Sequence, residues 1–145
     1  MQLEERLRKH SYDLGADLFG IADLTPAKEA IEAQGGPELA SYPRAISIGI
    51  VLLDTIVNQL PRRSDKAVSV AYRHHAYDIV NNQLDSITLL LSKELEREGY
   101  RAYPVSSSQR VNDEKICAAF SYKHKEIYRD IHILSTDIAK SRTIG

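Results

Sequence analysis

Between Tyr72 and Tyr100 the chain reads YRHHAYDIVNNQLDSITLLLSKELEREGY, and no other stretch constrains the fold as tightly. Val80, Leu84, Ile87, Leu91 and Leu95 recur at spacings of four, three, four and four. An α-helix gathers residues so spaced into one stripe. Asn81, Asp85, Ser92, Lys93 and Glu96 fall elsewhere on the surface, where water solvates them. Gly99 follows and supplies the left-handed geometry that ends a helix. A stripe this long needs a partner surface, so the spacing predicts a long helix packed on a sheet or on other helices. Its amino end carries Tyr72, Arg73, His74, His75 and Tyr77, the candidate link between fold and function.

The flanking segments predict what that helix packs against. Gln2 to Leu14 places Leu3, Leu7 and Leu14 on one side of a first helix, with Gly15 as its stop. Leu18, Phe19, Ile21 and Ala22 suggest a short buried strand. Thr25 as N-cap and Pro26 at the first helical position open a second helix, expected to run to about Ala33 before Gly35-Gly36-Pro37 breaks it. In RAISIGIVLL, Ile46, Ile48 and Ile50 alternate with Ser47 and Gly49, the period of a strand. Asp54 to Lys66 has no period and reads as a loop with a short helical turn. After Gly99, YRAYPV reads as a third strand cut short by Pro104, and Asn112 or Asp113 caps a helix through Ile116, Ala119 and Phe120. The expected class is α/β (α+β layered): a small mixed sheet flanked by helices, with one long central helix.

Composition narrows the function classes. With 145 residues the chain suits one domain that buries a core without disulfides or a structural metal. A formal net charge of −1 gives no global pull toward nucleic acid or anionic membrane. Cys117 is the single cysteine, so the chain holds neither an internal disulfide nor, alone, an iron–sulfur cluster. The charged start MQLEERLRKH lacks the apolar core of a signal peptide, and no apolar run is long enough to span a bilayer, so a cytoplasmic location is expected.

Few residues point to chemistry. His74 and His75 are adjacent and so project from different sides of a helix, whereas His74 and Asp78 have the one-turn spacing of a ligand pair. Polar residues in a first helical turn are the simpler reading. Tyr72 and Tyr77 offer flat apolar faces with a hydroxyl donor, or simply pack with their hydroxyls at the surface. Ser106 to Arg110 reads SSSQR between an expected strand and an expected helix, a position where α/β sheets bind ligands and also an ordinary connection. Cys117 falls beside Ile116 and Phe120 and reads as a buried, inert thiol. No Walker loop, dinucleotide fingerprint or zinc spacing is present.

Three segments, GADLFGIADL, YPRAISIGIVL and VAYRHHAYDIVNNQLDSITLLLSKELEREGYRAYPV, together resemble the N-terminal part of the epoxyqueuosine reductase family and its less characterised iron–sulfur relatives. The resemblance runs from about Gly15 to Lys123 and rests on the order and spacing of the set. It implies a cobalamin-processing, flavin-reductase-like domain that binds cobalamin. In the family, a ferredoxin-like cluster domain behind it passes electrons to the corrinoid, and the queuosine enzymes reduce a modified base of transfer RNA. The start of the long helix and the loop after the third strand lie near the corrinoid in that family. The resemblance therefore implies Tyr72, His75, Tyr77, Ser106, Ser107, Gln109 and Arg110 as cofactor-binding candidates, with no catalytic or metal-ligating residue assigned.

The chain departs from the family in three ways. Where the queuosine enzymes have the acidic proton donor in a Val-Asp-Ser segment, this chain has Val105-Ser106-Ser107, and a serine hydroxyl is far too weak an acid to replace a carboxyl group. The family's Leu-Gly-Trp stretch is replaced by HKEIYRDIHILSTDIAKSRTIG, with no tryptophan, and the cluster cysteines are absent. The expectation is a truncated or frame-shifted copy: an incomplete cobalamin-binding-like domain over residues 1–123 and a divergent tail over 124–145. The expected function is a corrinoid-binding portion of such an oxidoreductase, not catalytic alone. The alternative is a non-enzymatic remnant or interaction module that self-associates or pairs with a separate iron–sulfur protein. Transfer-RNA binding by this piece gains little from its charge balance.

Overall fold

The computed structural model describes residues 1–105, apart from the side chain of Gln34. The expectations for Ser106 to Arg110, for the helix around Cys117 and for the tail lie outside the described residues.

The described chain is α+β. Helix α1 (Leu3–Asp13) leads into strand β1 (Leu18–Asp23), and a 3-10 turn (Thr25–Ala27) leads into α2 (Lys28–Ala40). Strand β2 (Arg44–Gly49), the short helix α3 (Asp54–Val57) and a second 3-10 turn (Leu60–Arg62) follow. Then α4 (Lys66–Arg73), a π-helical segment (His74–Val80) and α5 (Asn81–Arg97) run on as one rod. The strands pair antiparallel, from Leu18 opposite Gly49 to Asp23 opposite Arg44.

The stripe on the rod organises two apolar clusters. Ile87, with none of its surface exposed, and Leu91 meet Leu7 of α1, Ala16 and Phe19 of β1, and Leu3, Leu14 and Leu95 close the rim. One turn earlier, Val80 and Leu84 meet Leu52 and Val57, with Leu60, Tyr72 and Ala76 alongside. Ile48 and Ile50 pack against both clusters, so β2 is the seam between them. Each fully buried aliphatic side chain here contributes about 1.5–3 kcal/mol. Polar contacts trim the edges: an exposed ion pair joins Arg6 to Glu98 at 2.6 Å, and a partly buried hydrogen bond joins His10 Nδ1 to Glu94 at 2.6 Å. Such surface pairs contribute little beside the apolar clusters.

Four expectations are corrected. Thr25 is not the N-cap: the 3-10 turn is entered from Leu24 without a side-chain cap, and Asp23 at the end of β1 holds Thr25, its Oδ1 accepting from the Thr25 backbone N–H (3.0 Å) and from the Thr25 hydroxyl (2.7 Å). The hydroxyl bond above all, and then the backbone bond, hold the Asp23 carboxyl below its ordinary pKa. The second helix breaks at Gly36-Pro37 as expected, since Gly36 takes the non-helical φ +81°, but the segment does not stop there: Pro37 begins a further helical turn that reaches Ala40. The sheet is antiparallel with two strands among the described residues, not mixed, because Arg101 to Val105 joins no ladder.

The fourth correction concerns the long helix, which starts at Lys66 rather than Tyr72. Asp65 caps it, its side chain accepting from the Ala67 N–H at 2.9 Å. Val68, Tyr72, Ala76, Val80 and Leu84 are spaced by four throughout. At about 100° per residue, each spacing of four overshoots an α-helical turn by about 40°, and four of them carry the stripe about 160° off its face. The wider i→i+5 turns of His74–Val80 take up that excess, keeping Tyr72, Ala76 and Val80 on one cluster.

Candidate functional site

The π-helical segment coincides with the side chains that the sequence singled out. Tyr72 lies in the last turn of α4, half-buried against the cluster of Leu52, Val57, Val80 and Leu84. Tyr77 lies one wide turn on and is about half exposed (51%). Their ring centroids are 6.4 Å apart with planes at 77°, an edge-to-face pair. Burial, and secondarily the neighbouring Tyr77 hydroxyl, raise the Tyr72 phenol above its ordinary pKa. Tyr72 is therefore a neutral donor and acceptor throughout the physiological range.

His75 faces a different element. Its Nε2 accepts a hydrogen bond from the Leu53 backbone N–H at 3.1 Å. Leu53 lies in the loop that leaves β2, and its side chain is largely exposed (61%). The same loop is held from the other side by Asp17, whose Oδ2 accepts from the Val51 N–H at 2.7 Å. An accepting Nε2 leaves Nδ1 as the protonated nitrogen, so His75 presents an N–H rather than a free lone pair. That makes it a donor to a ligand amide or carbonyl, and poorly suited as a metal ligand in this arrangement.

His74 and Asp78 do meet, at 3.2 Å, on the exposed side of the segment. No third ligand joins them: among the described residues, no group of three or more His, Cys, Asp or Glu side chains is placed to hold a metal ion. The other four candidates, Ser106, Ser107, Gln109 and Arg110, lie outside the described residues. The structure thus brings Tyr72 and Tyr77 together and turns His75 toward the end of β2.

A second polar cluster escaped the sequence reading. Arg101 donates to Ser41 Oγ (2.9 Å) and Glu38 Oε1 (3.3 Å), and its guanidinium lies 4.8 Å from the centre of the Tyr42 ring. Tyr103 meets the same ring edge-on at 6.2 Å. The available signal was the i, i+2 pairing of Arg101 and Tyr103 on one face of an extended run, but its target is about sixty residues away in sequence.

Among the described residues no helix is long and apolar enough to cross a membrane. Set against protein-family models, curated proteins and solved structures, the chain finds no match in any of the three.

Proposed function

We propose that this chain is the corrinoid-binding portion of an epoxyqueuosine reductase-like iron–sulfur oxidoreductase and that it binds cobalamin without turning over a substrate alone. One observation carries the reading. The only π-helical segment among the described residues falls on the Tyr72–Tyr77 cluster and brings His75 to the loop after β2. Wide turns of this kind are frequent at functional sites, and the spacing of the stripe gives this one a packing reason as well. Cobalamin is large and amphipathic, with a flat corrin ring rimmed by amides, and it suits a partly exposed aromatic edge beside neutral donors.

In this proposal Tyr77 packs against the macrocycle, and the Tyr72 hydroxyl and His75 Nδ1–H meet its peripheral amides. Ser106, Ser107, Gln109 and Arg110 would supply further polar contacts. Bound cobalamin supplies a redox-active cobalt centre. With one cysteine among these residues, the electrons would have to come from a cluster held outside them. With serine at the proton-donor position, epoxyqueuosine itself is a poor fit as substrate.

The test mixes the purified full chain with hydroxocobalamin, followed by gel filtration and absorption spectroscopy. The proposal predicts co-elution and a shift of the cobalt bands, both weakened in Tyr77→Ala. Free elution of the cobalamin with an unchanged spectrum overturns it.

A protein-binding role has its own supporting observation. Val70, Ile79 and Leu89 on the rod, together with Leu53, expose about half or more of their surface. On this second reading the chain pairs with a separate iron–sulfur protein or with itself. Sizing chromatography distinguishes it, since a strictly monomeric chain that binds cobalamin favours the first reading.

A further inference from the structure

We propose that His75 is a proton-operated latch on the loop between β2 and α3: as a neutral imidazole it holds Leu53, and on protonation it lets go. The latch needs no ligand and stands apart from the cobalamin reading.

The loop is tethered twice, two residues apart, by groups of different chemistry. Asp17 Oδ2 accepts from the Val51 N–H at 2.7 Å, and His75 Nε2 accepts from the Leu53 N–H at 3.1 Å. A carboxylate accepts in this way throughout roughly pH 5 to 8. An imidazole accepts only while neutral; once protonated, both ring nitrogens carry hydrogen and neither offers a lone pair. Protonated His75 would set N–H against N–H at Leu53, so the ring must turn or the loop must move. One tether is constant, and the other depends on protons.

Leu53 is the residue at which this matters. It is the N-cap of α3, with extended backbone (φ −62°, ψ 128°) and no side-chain cap. Its carbonyl accepts from the N–H groups of Ile56 (3.0 Å) and Val57 (3.1 Å), which start the helix. The same residue is fixed to the rod through its N–H and begins α3 through its C=O. A helix of four residues has no stability of its own, so α3 depends on its attachments. Leu52 and Val57, on either side of the tether, belong to the cluster on which Tyr72 packs. Release at Leu53 loosens that wall beside Tyr72, while Asp17 keeps the loop attached at Val51.

The titratable and charged groups around His75 are Tyr72, Arg73, His74, Tyr77 and Asp78 on the rod, and Asp17 and Asp54 across the loop. They tune the pH at which His75 titrates but not the sign of the effect. Only the neutral ring accepts from Leu53, so the latch is closed at high pH and opens as pH falls.

Two-dimensional NMR of the full ¹⁵N-labelled chain without cobalamin, titrated from about pH 8 to 5 with the His75 ring followed in the same samples, tests the latch. The expected result is a Leu53 amide resonance that shifts with the midpoint of the His75 ring. Exchange protection, taken relative to the intrinsic rate at each pH, should fall by about two- to tenfold at Leu53, Ile56 and Val57 and hold at Val51. His75→Gln, an acceptor that does not titrate, should abolish the shift and keep Leu53 protected across the range; His74→Gln should leave the shift in place. A Leu53 resonance that stays flat through the His75 titration overturns the proposal. So does a midpoint that follows His74 or His10 instead, a titration that persists in His75→Gln, or an equal loss of protection at Val51.

Discussion

Replacing Ile87 by alanine probes the packing on which everything else rests. Ile87 has no exposed surface and lies where α5 meets α1, β1 and the inner face of β2. The substitution removes three carbons. At about 0.8 kcal/mol per buried methylene the transfer loss is about 2.4 kcal/mol. The cavity left between three elements that cannot all collapse adds to this, giving about 3–4 kcal/mol, inside the range for such substitutions. A domain of about 100 residues has roughly 5–15 kcal/mol in total, so the variant folds but melts some 12 °C or more lower. Because the chain has no tryptophan, urea unfolding followed by far-ultraviolet circular dichroism is the suitable assay. Leu89→Ala, two residues on and about half exposed (49%), is the control and should change stability by no more than about 0.5 kcal/mol. Equal losses in the two variants would refute the assignment of the buried face.

Two further predictions concern the candidate site. His75→Ala removes the acceptor for Leu53 N–H, so the Leu53 amide should exchange faster, whereas His75→Gln retains an acceptor and much of the protection; the stability cost is about 0.5–1.5 kcal/mol, because water reaches this exposed bond. Tyr72 has a folded-state pKa above its unfolded value, so its contribution is complete below about pH 10 and is lost as pH rises through the folded value. Urea midpoints measured between pH 9 and 11 should therefore fall less steeply in Tyr72→Phe than in the wild-type chain, and identical slopes would contradict the burial of that hydroxyl.

The parts of the fold legible in sequence were those set by local period. Leu84, Ile87, Leu91 and Leu95 of the stripe lie in α5 and Ile46 and Ile48 of the alternation lie in β2, with Val80 and Ile50 one residue outside, so both patterns were read in the right place. The start of the rod was missed because the run of spacings of four from Val68 to Leu84 fits neither an α-helix nor a strand. It needs a π-helical segment to be understood. The turn beyond Gly36-Pro37 was missed because a helix breaker and a helix starter are adjacent there, and only the Gly36 dihedral angles show the chain using both. At the candidate site, Tyr72, His75 and Tyr77 stood out as an unusual local cluster. Their partners did not, since Leu53 is 22 residues away from His75 and the contact depends on the whole fold. The third strand expected at Tyr100–Val105 was misread, since Arg101 to Val105 joins no ladder; residue types set strand propensity but not whether a segment pairs with an edge.

The central claim, that the tyrosine pair at the start of the π-helical segment contacts a corrinoid, is tested most directly by an equilibrium titration of hydroxocobalamin with the full chain, monitored at the cobalt absorption bands. The account predicts saturable binding that weakens by at least about tenfold in Tyr77→Ala, equivalent to roughly 1.4 kcal/mol for one lost aromatic contact. A flat titration, or binding of equal strength in Tyr77→Ala, would contradict it.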